Sequence, residues 1–210
     1  MASEARKVSN LDITTTLLSN DRVVVLANVS STPILKTITV PNLSNSLQQK
    51  FILNSNLSLS NTASLQSLFG VGAAVISSTR YKYKITSIVN KNINNIAIQY
   101  ALGGTAVISR HTYTVTSSHA AALQTVSNTT HVFDNKTSAI STPVTVTNSQ
   151  DSTGVYNLII DGLIDVTSNG TFNPYIGFTD APGSLVIQAG SGVEIYPVGS
   201  TGSNTSIGWS

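Results

Sequence analysis

The sequence predicts an all-β protein: a jelly-roll β-sandwich preceded by an extended N-terminal arm with short strands. Three observations predict it. From residue 67 onward, about eight short apolar runs with period-two alternation follow one another at spacings near ten residues, separated by Gly- and Pro-bearing turns. No long stretch carries the 3.6-residue apolar period of an amphipathic helix. Ser, Thr and Asn together make about 36% of the 210 residues, charged residues make 10%, and hydrophobic residues still make 40%, enough for a core. An immunoglobulin-like sandwich answers to the same signals as the jelly roll.

Residues 1–66 read as the arm. Phe51 is their one aromatic residue, and their strand-like runs are residues 22–26 and 34–40, the second bracketed by Pro33 and Pro41. The Ser/Asn/Leu-rich stretch 54–61 buries too little apolar surface to offset the entropy of ordering it, so it must lie on something else.

Residues 67–210 read as the sandwich. Tyr81, Tyr83, Ile85 and Val89 alternate with Arg80, Lys82, Lys84 and Thr86, giving a strand with one apolar and one basic face. Ile96, Ile98, Tyr100 and Leu102 alternate with Asn95, Ala97 and Gln99, and Gly103-Gly104 then reads as a hairpin turn. Residues 106–116 are dense in β-branched side chains and form the next strand. Residues 119–126 are a short helix or a loop, and 143–147 a short strand. In residues 155–166, Tyr156, Leu158, Ile160, Ile164 and Val166 share a face with Gly162 in its middle, and a glycine there marks a bulge, a bend or close backbone approach. Phe172, Ile176 and Phe178 make another apolar face, Ala181-Pro182-Gly183 a turn, and residues 185–189 and 193–198 two strands around Gly190-Ser191-Gly192.

Several function classes fall away. Cysteine is absent, which removes disulfide scaffolds, thiolate metal sites and cysteine nucleophiles. Eleven basic and four acidic residues lie at or before Lys136, a balance of +7, and five acids alone lie beyond it, −5. No basic run exceeds Arg6-Lys7, so nucleic acid is not indicated as a partner. The longest aliphatic run, residues 23–27, is too short to span a bilayer, and no targeting segment is visible, so the expectation is a soluble protein made in a cytoplasm without a membrane partner. The Asn-x-Ser/Thr sequons then read as products of composition.

No catalytic constellation is legible. Asp161 and Asp165 share a strand face, but at about 3.3 Å per residue they stand roughly 13 Å apart, beyond the roughly 5–9.5 Å of glycoside hydrolysis. They read as solvent-facing acids. His111, His119 and His131 lack metal-ligand partners at i+2 to i+4, and no Gly-x-Ser-x-Gly elbow or phosphate-cradling glycine motif occurs. No cofactor or metal is implied. Arg80, Lys82 and Lys84 read either as a positive docking strip or, preferentially, as an edge strand protected by charge.

The C-terminal part resembles a recurrent module of phage virion proteins, marine-phage structural proteins among them. The resemblance is carried by residues 154–167 (GVYNLIIDGLIDVT), 170–174 (GTFNP), Ala181-Pro182-Gly183, 189–192 (AGSG) and the closing Gly208-Trp209-Ser210. Residues 11–16, 21–26 and 35–43 are similar to attachment segments preceding such modules. The resemblance implies a trimeric jelly roll on a virion and a non-enzymatic role as capsid decoration, cement or short-fibre protein. A tail-fibre or receptor- and glycan-binding module is the alternative. It implies as partners further copies of the chain, a major capsid or other virion protein, and in the alternative a host-surface glycan. On this reading Val23, Val25, Ile34, Leu35 and Ile38 anchor the arm by adding strands to a partner's sheet. Tyr156, Phe172, Phe178 and Trp209 are core or intersubunit packing residues.

Overall fold

The computed structural model describes residues 22–27, 34–39, 48–119, 128–136, 140–147 and 153–201. They belong to two units, Met1–Ser46 and Leu47–Ser210. In the first, β1 (Arg22–Ala27) and β2 (Ile34–Thr39) pair antiparallel as a two-stranded ribbon, with Val23 opposite Ile38 and Leu26 opposite Leu35.

The second unit contains β3 (Gln49–Ile52), β4 (Leu57–Leu59), β5 (Gln66–Ser67), β6 (Ala73–Val75), β7 (Thr79–Lys91), β8 (Ile98–Gly103), β9 (Val107–His119) and β10 (Asn128–Lys136). β11 (Val144–Thr145), β12 (Gly154–Ser168), β13 (Gly170–Phe178), β14 (Leu185–Ile187) and β15 (Gly192–Ser200) complete it. The large sheet runs β10-β9-β12-β7. Beyond β7 lie β14 with β4 along one end and β15 with β3 along the other. The small sheet runs β11-β8-β13, with β5 and β6 side by side along the far edge of β13. All pairings are antiparallel, and successive strands from β7 to β9 and from β10 to β14 pass back and forth between the sheets. The predicted β-sandwich is what the chain forms. No helix among the described residues is long and apolar enough to cross a membrane.

Alternation places the core. Tyr81, Tyr83, Ile85 and Val89 of β7 and Leu158, Ile160 and Ile164 of β12 are at most 2% exposed, as are Ile98, Tyr100 and Leu102 of β8 and Phe172, Ile176 and Phe178 of β13. Each such side chain contributes about 1.5–3 kcal/mol by leaving water. Rings meet across the sheets, Tyr83 with Phe172 at 4.8 Å and Tyr100 with Tyr113 at 5.2 Å between centroids. The proline of β13 breaks no ladder: Pro174 lies where the neighbour of β13 changes from β6 to β5, so its missing N–H is not needed.

Three sequence expectations are corrected. The arm does not reach residue 66. β3, β4 and β5 pair with β15, β14 and β13, and Phe51, Leu53, Leu57 and Leu59 pack on the core, so the polar stretch does lie on something else, namely its own chain. Gly103-Gly104 is not a hairpin turn but a crossing from the small sheet to the large one. Gly104 has φ +94°, and a Cβ there would stand 2.1 Å from the Thr171 carbonyl oxygen, so only glycine passes this close to β13. β7 is not an edge strand: it is central, between β12 and the β14/β15 pair. Of residues 119–126, expected as a short helix or loop, His119 ends β9 and residues 120–126 lie outside the described residues, as does Trp209.

Candidate functional site

The ribbon holds all five predicted anchors: Val23 and Val25 on β1, and Ile34, Leu35 and Ile38 on β2. They stand in one register, Val23 across from Ile38, Val25 from Lys36, Leu26 from Leu35 and Ala27 from Ile34. β-Branched residues favour this pairing. Among the described residues no third strand joins the ribbon. A lone two-stranded hairpin is marginal in water.

The outer face of the large sheet collects the charges. Register puts Lys50, Glu194, Lys84, Asp161 and Thr114 in one row across β3, β15, β7, β12 and β9. Tyr196, Lys82, Leu163 and Thr112 form the next row, and Arg80, Asp165 and Arg110 a third. On β7, Lys84 therefore lies between Glu194 and Asp161 and Arg80 faces Asp165, while Lys82 faces Tyr196 and Leu163, so acids interrupt the positive strip. Sequence reasoning missed this because strand order is not encoded in alternation.

The third row is tightly built. Arg80 donates from Nε to Asp165 Oδ1 at 2.6 Å and from its terminal nitrogen to Oδ2 at 3.0 Å, and Arg110 Nε stands 3.2 Å from Oδ2. The Arg80 hydrogen bonds hold the Asp165 carboxyl below the usual carboxylate range, against the opposing effect of burial. Asp165 is 8% exposed, so the reading of it as a solvent-facing acid is corrected; Asp161 is exposed as expected. Between the rows, Lys82, Thr112, Thr114, Asp161 and Leu163 line a shallow depression of about 450 Å³.

Beneath this face lies a buried polar nucleus. The Tyr83 hydroxyl and His111 Nε2 share a hydrogen bond of 2.7 Å, and His111 stacks on Tyr113 at 4.4 Å. Burial pushes the His111 pKa down to about 3 and the Tyr83 pKa well above its ordinary value. Gly162 makes room: it lies opposite Tyr83 and Tyr113 in register, and a Cβ on it would stand 2.2 Å from the Tyr83 ring. This is the close approach that a glycine within a strand signalled.

Of the predicted packing residues, Tyr156, Phe172 and Phe178 are buried within the chain's own core. His119 Nε2 lies 3.1 Å from the Thr153 carbonyl. Among the described residues no group of three or more His, Cys, Asp or Glu could hold a metal ion.

No family model and no curated protein matches this chain. Among solved structures, a chain of the infectious bursal disease virus VP2 subviral particle is similar over 85% of this chain at 9% identity, with a TM-score of 0.19. This chain spans about half the length of that one, 47%, and at such a score the likeness carries no argument.

Proposed function

We propose that this chain is a non-enzymatic structural protein of a bacteriophage virion, a capsid decoration, cement or short-fibre protein working as a homotrimer. The N-terminal ribbon attaches it to a capsid protein or to a neighbouring copy, and the sandwich projects. One observation carries the reading. A ribbon of two six-residue strands, with no third strand among the described residues, is joined to a sandwich that closes its own core. Such a ribbon is stabilised by adding to another sheet. The resemblance of residues 154–210 to virion modules supports a partner sheet on a particle. Asp161 and Asp165, each facing a cation across the strand pair, supply structure and not catalysis. The test is deletion of residues 1–46: the remaining protein stays folded, and it no longer binds particles. A truncated protein that still decorates particles overturns the ribbon's role.

A second reading has its own observation. The depression between Lys82, Thr112, Thr114 and Asp161 presents one cation, one carboxylate and two hydroxyls over Leu163, a set suited to a neutral polyhydroxylated ligand such as a glycan. Titration of the full chain with neutral oligosaccharides checks it, with binding lost in Asp161→Ala. Copy number separates the readings: hundreds per particle mean decoration, and a few to some dozens mean a tail or fibre tip.

A further inference from the structure

Among the described residues the sandwich has one long regular edge strand with a single neighbour. β10 runs nine residues and pairs only with β9 among the described residues. The other strands bordering a sheet offer less: β3 has four residues, β4 and β6 three each, β5 and β11 two each, and the half of β15 beyond β3, Tyr196–Ser200, contains Pro197 and a register shift between Pro197 and Gly199. Short edges offer little template for further pairing, and a long one offers a complete one. From Asn128 to Asp134 the pairing of β10 with β9 is regular, and the register shifts only between Asp134 and Lys136. That regular stretch has seven residues, and β1 has six.

We propose that β10 is the docking edge for the β1–β2 ribbon of a neighbouring copy, with β1 added antiparallel to β10. This inference rests on the reading of the ribbon as an attachment element and names its receptor. Charge sets the register. Antiparallel alignment brings Arg22, the only charged residue of β1, opposite Asp134, the acid of β10. Val23 to Ala27 then face Phe133 to Thr129 in turn, with Val24 opposite Val132 and Val25 opposite His131. The added strand completes the ladder on the side of β10 away from β9 and gives β1 a second neighbour. Each copy gives a ribbon and receives one, a head-to-tail contact that forms a ring of three on the homotrimer reading and an open filament if the rotation does not close.

The absence of cysteine makes the test clean. Full-length Val24→Cys and Val132→Cys variants carrying different tags are mixed and oxidised, and Val25→Cys is mixed with His131→Cys in parallel. Adjacent positions in an antiparallel ladder differ in side-chain spacing, so the two pairs cover both geometries. The expected result is a disulfide joining the two tags in one of these mixtures, at least tenfold above a Val24→Cys with Thr129→Cys control. Arg22→Asp lowers its yield, and Asp134→Arg in the partner restores it. Absence of cross-links while the oligomer persists overturns the proposal. So does cross-linking confined to one copy in a Val24→Cys/Val132→Cys double variant, which would mean that each ribbon covers its own edge. A capsid protein cross-linked at Val132 in place of a second copy overturns it as well. Particle binding is scored separately: cross-linked rings that fail to decorate particles sink the virion reading and leave this contact standing.

Discussion

Gly162 and Tyr83 are one structural decision made by two residues. The ring lies where a side chain on β12 would be, and its hydroxyl reaches His111 only because that side chain is missing. Gly162→Ala removes chain entropy from the unfolded state, a gain of up to about 1 kcal/mol. It also drives a methyl into the Tyr83 ring, and overpacking of this kind costs about 1–3 kcal/mol. The clash wins, and the denaturant midpoint falls. In the Tyr83→Ala background the same change costs little, a non-additivity that a double-mutant cycle reads directly. His111 gives the second prediction at this scale. Its pKa is about 3 in the fold against 6.5 ordinarily, so between these values the unfolded chain binds the extra proton. Stability is therefore full above pH 6.5 and falls toward pH 3 with a slope of about 1.4 kcal/mol per pH unit. Asp165 adds a loss in the same direction at lower pH. Its carboxyl is held below 3.8, so its contribution is present above that value and is lost as pH falls through the folded one. Urea midpoints of wild type and His111→Phe, measured from pH 7 to pH 4, isolate the histidine: a wild-type curve as flat as the variant's would contradict its burial in the neutral form.

Among the elements, the long strands were readable and their neighbours were not. β7 and β12 announce themselves because a thirteen- and a fifteen-residue strand repeat the period-two pattern many times. That Lys84 faces Asp161 on one side and Glu194 on the other is a fact of pairing between distant segments, which local alternation does not contain. Alternation alone therefore makes β7 resemble a charged edge strand, while the pairing makes it central. Gly103-Gly104 misled differently, since a hairpin and a sheet-to-sheet crossing both call for a glycine with positive φ. Residues 49–66 read as arm because they are polar and short-stranded, yet their apolar positions Phe51, Leu53, Leu57 and Leu59 pack on a core built by other strands. The ring of Phe51 lies 5.7 Å from that of Phe69. Truncation tells the two boundaries apart. Residues 47–210 should unfold cooperatively with nearly the full-length midpoint. Residues 67–210 lose four side chains from the core, several kcal/mol by area against a usual total of about 5–15 kcal/mol, and should aggregate or bind hydrophobic dye. Equal stability of the two fragments would return the boundary to residue 66.

At the scale of the whole sandwich, part of the charge asymmetry along the sequence is offset on the outer face of the large sheet. The early basic residues Arg80, Lys82 and Lys84 and the late acids Asp161, Asp165 and Glu194 meet on one sheet face, with Lys84 between Glu194 and Asp161 and Arg80 beside Asp165. Only exposed pairs of this kind feel salt strongly, and they contribute little. What remains for assembly is backbone ladder and hydroxyl or amide side chains, neutral bonds of about 0.5–1.5 kcal/mol each that gain strength by repetition around a symmetric contact. Assembly should accordingly be almost indifferent to ionic strength. Sedimentation of the full chain at 50 mM and 500 mM sodium chloride should give the same oligomer, with a dissociation constant changed less than about threefold, since the single Arg22–Asp134 pair is the one ionic contact invoked. Urea at sub-denaturing concentration, which competes for peptide groups, should dissociate the oligomer before the sandwich unfolds. An oligomer that falls apart in salt but resists urea would mean that the copies are held by the charged sheet face and not by added strands.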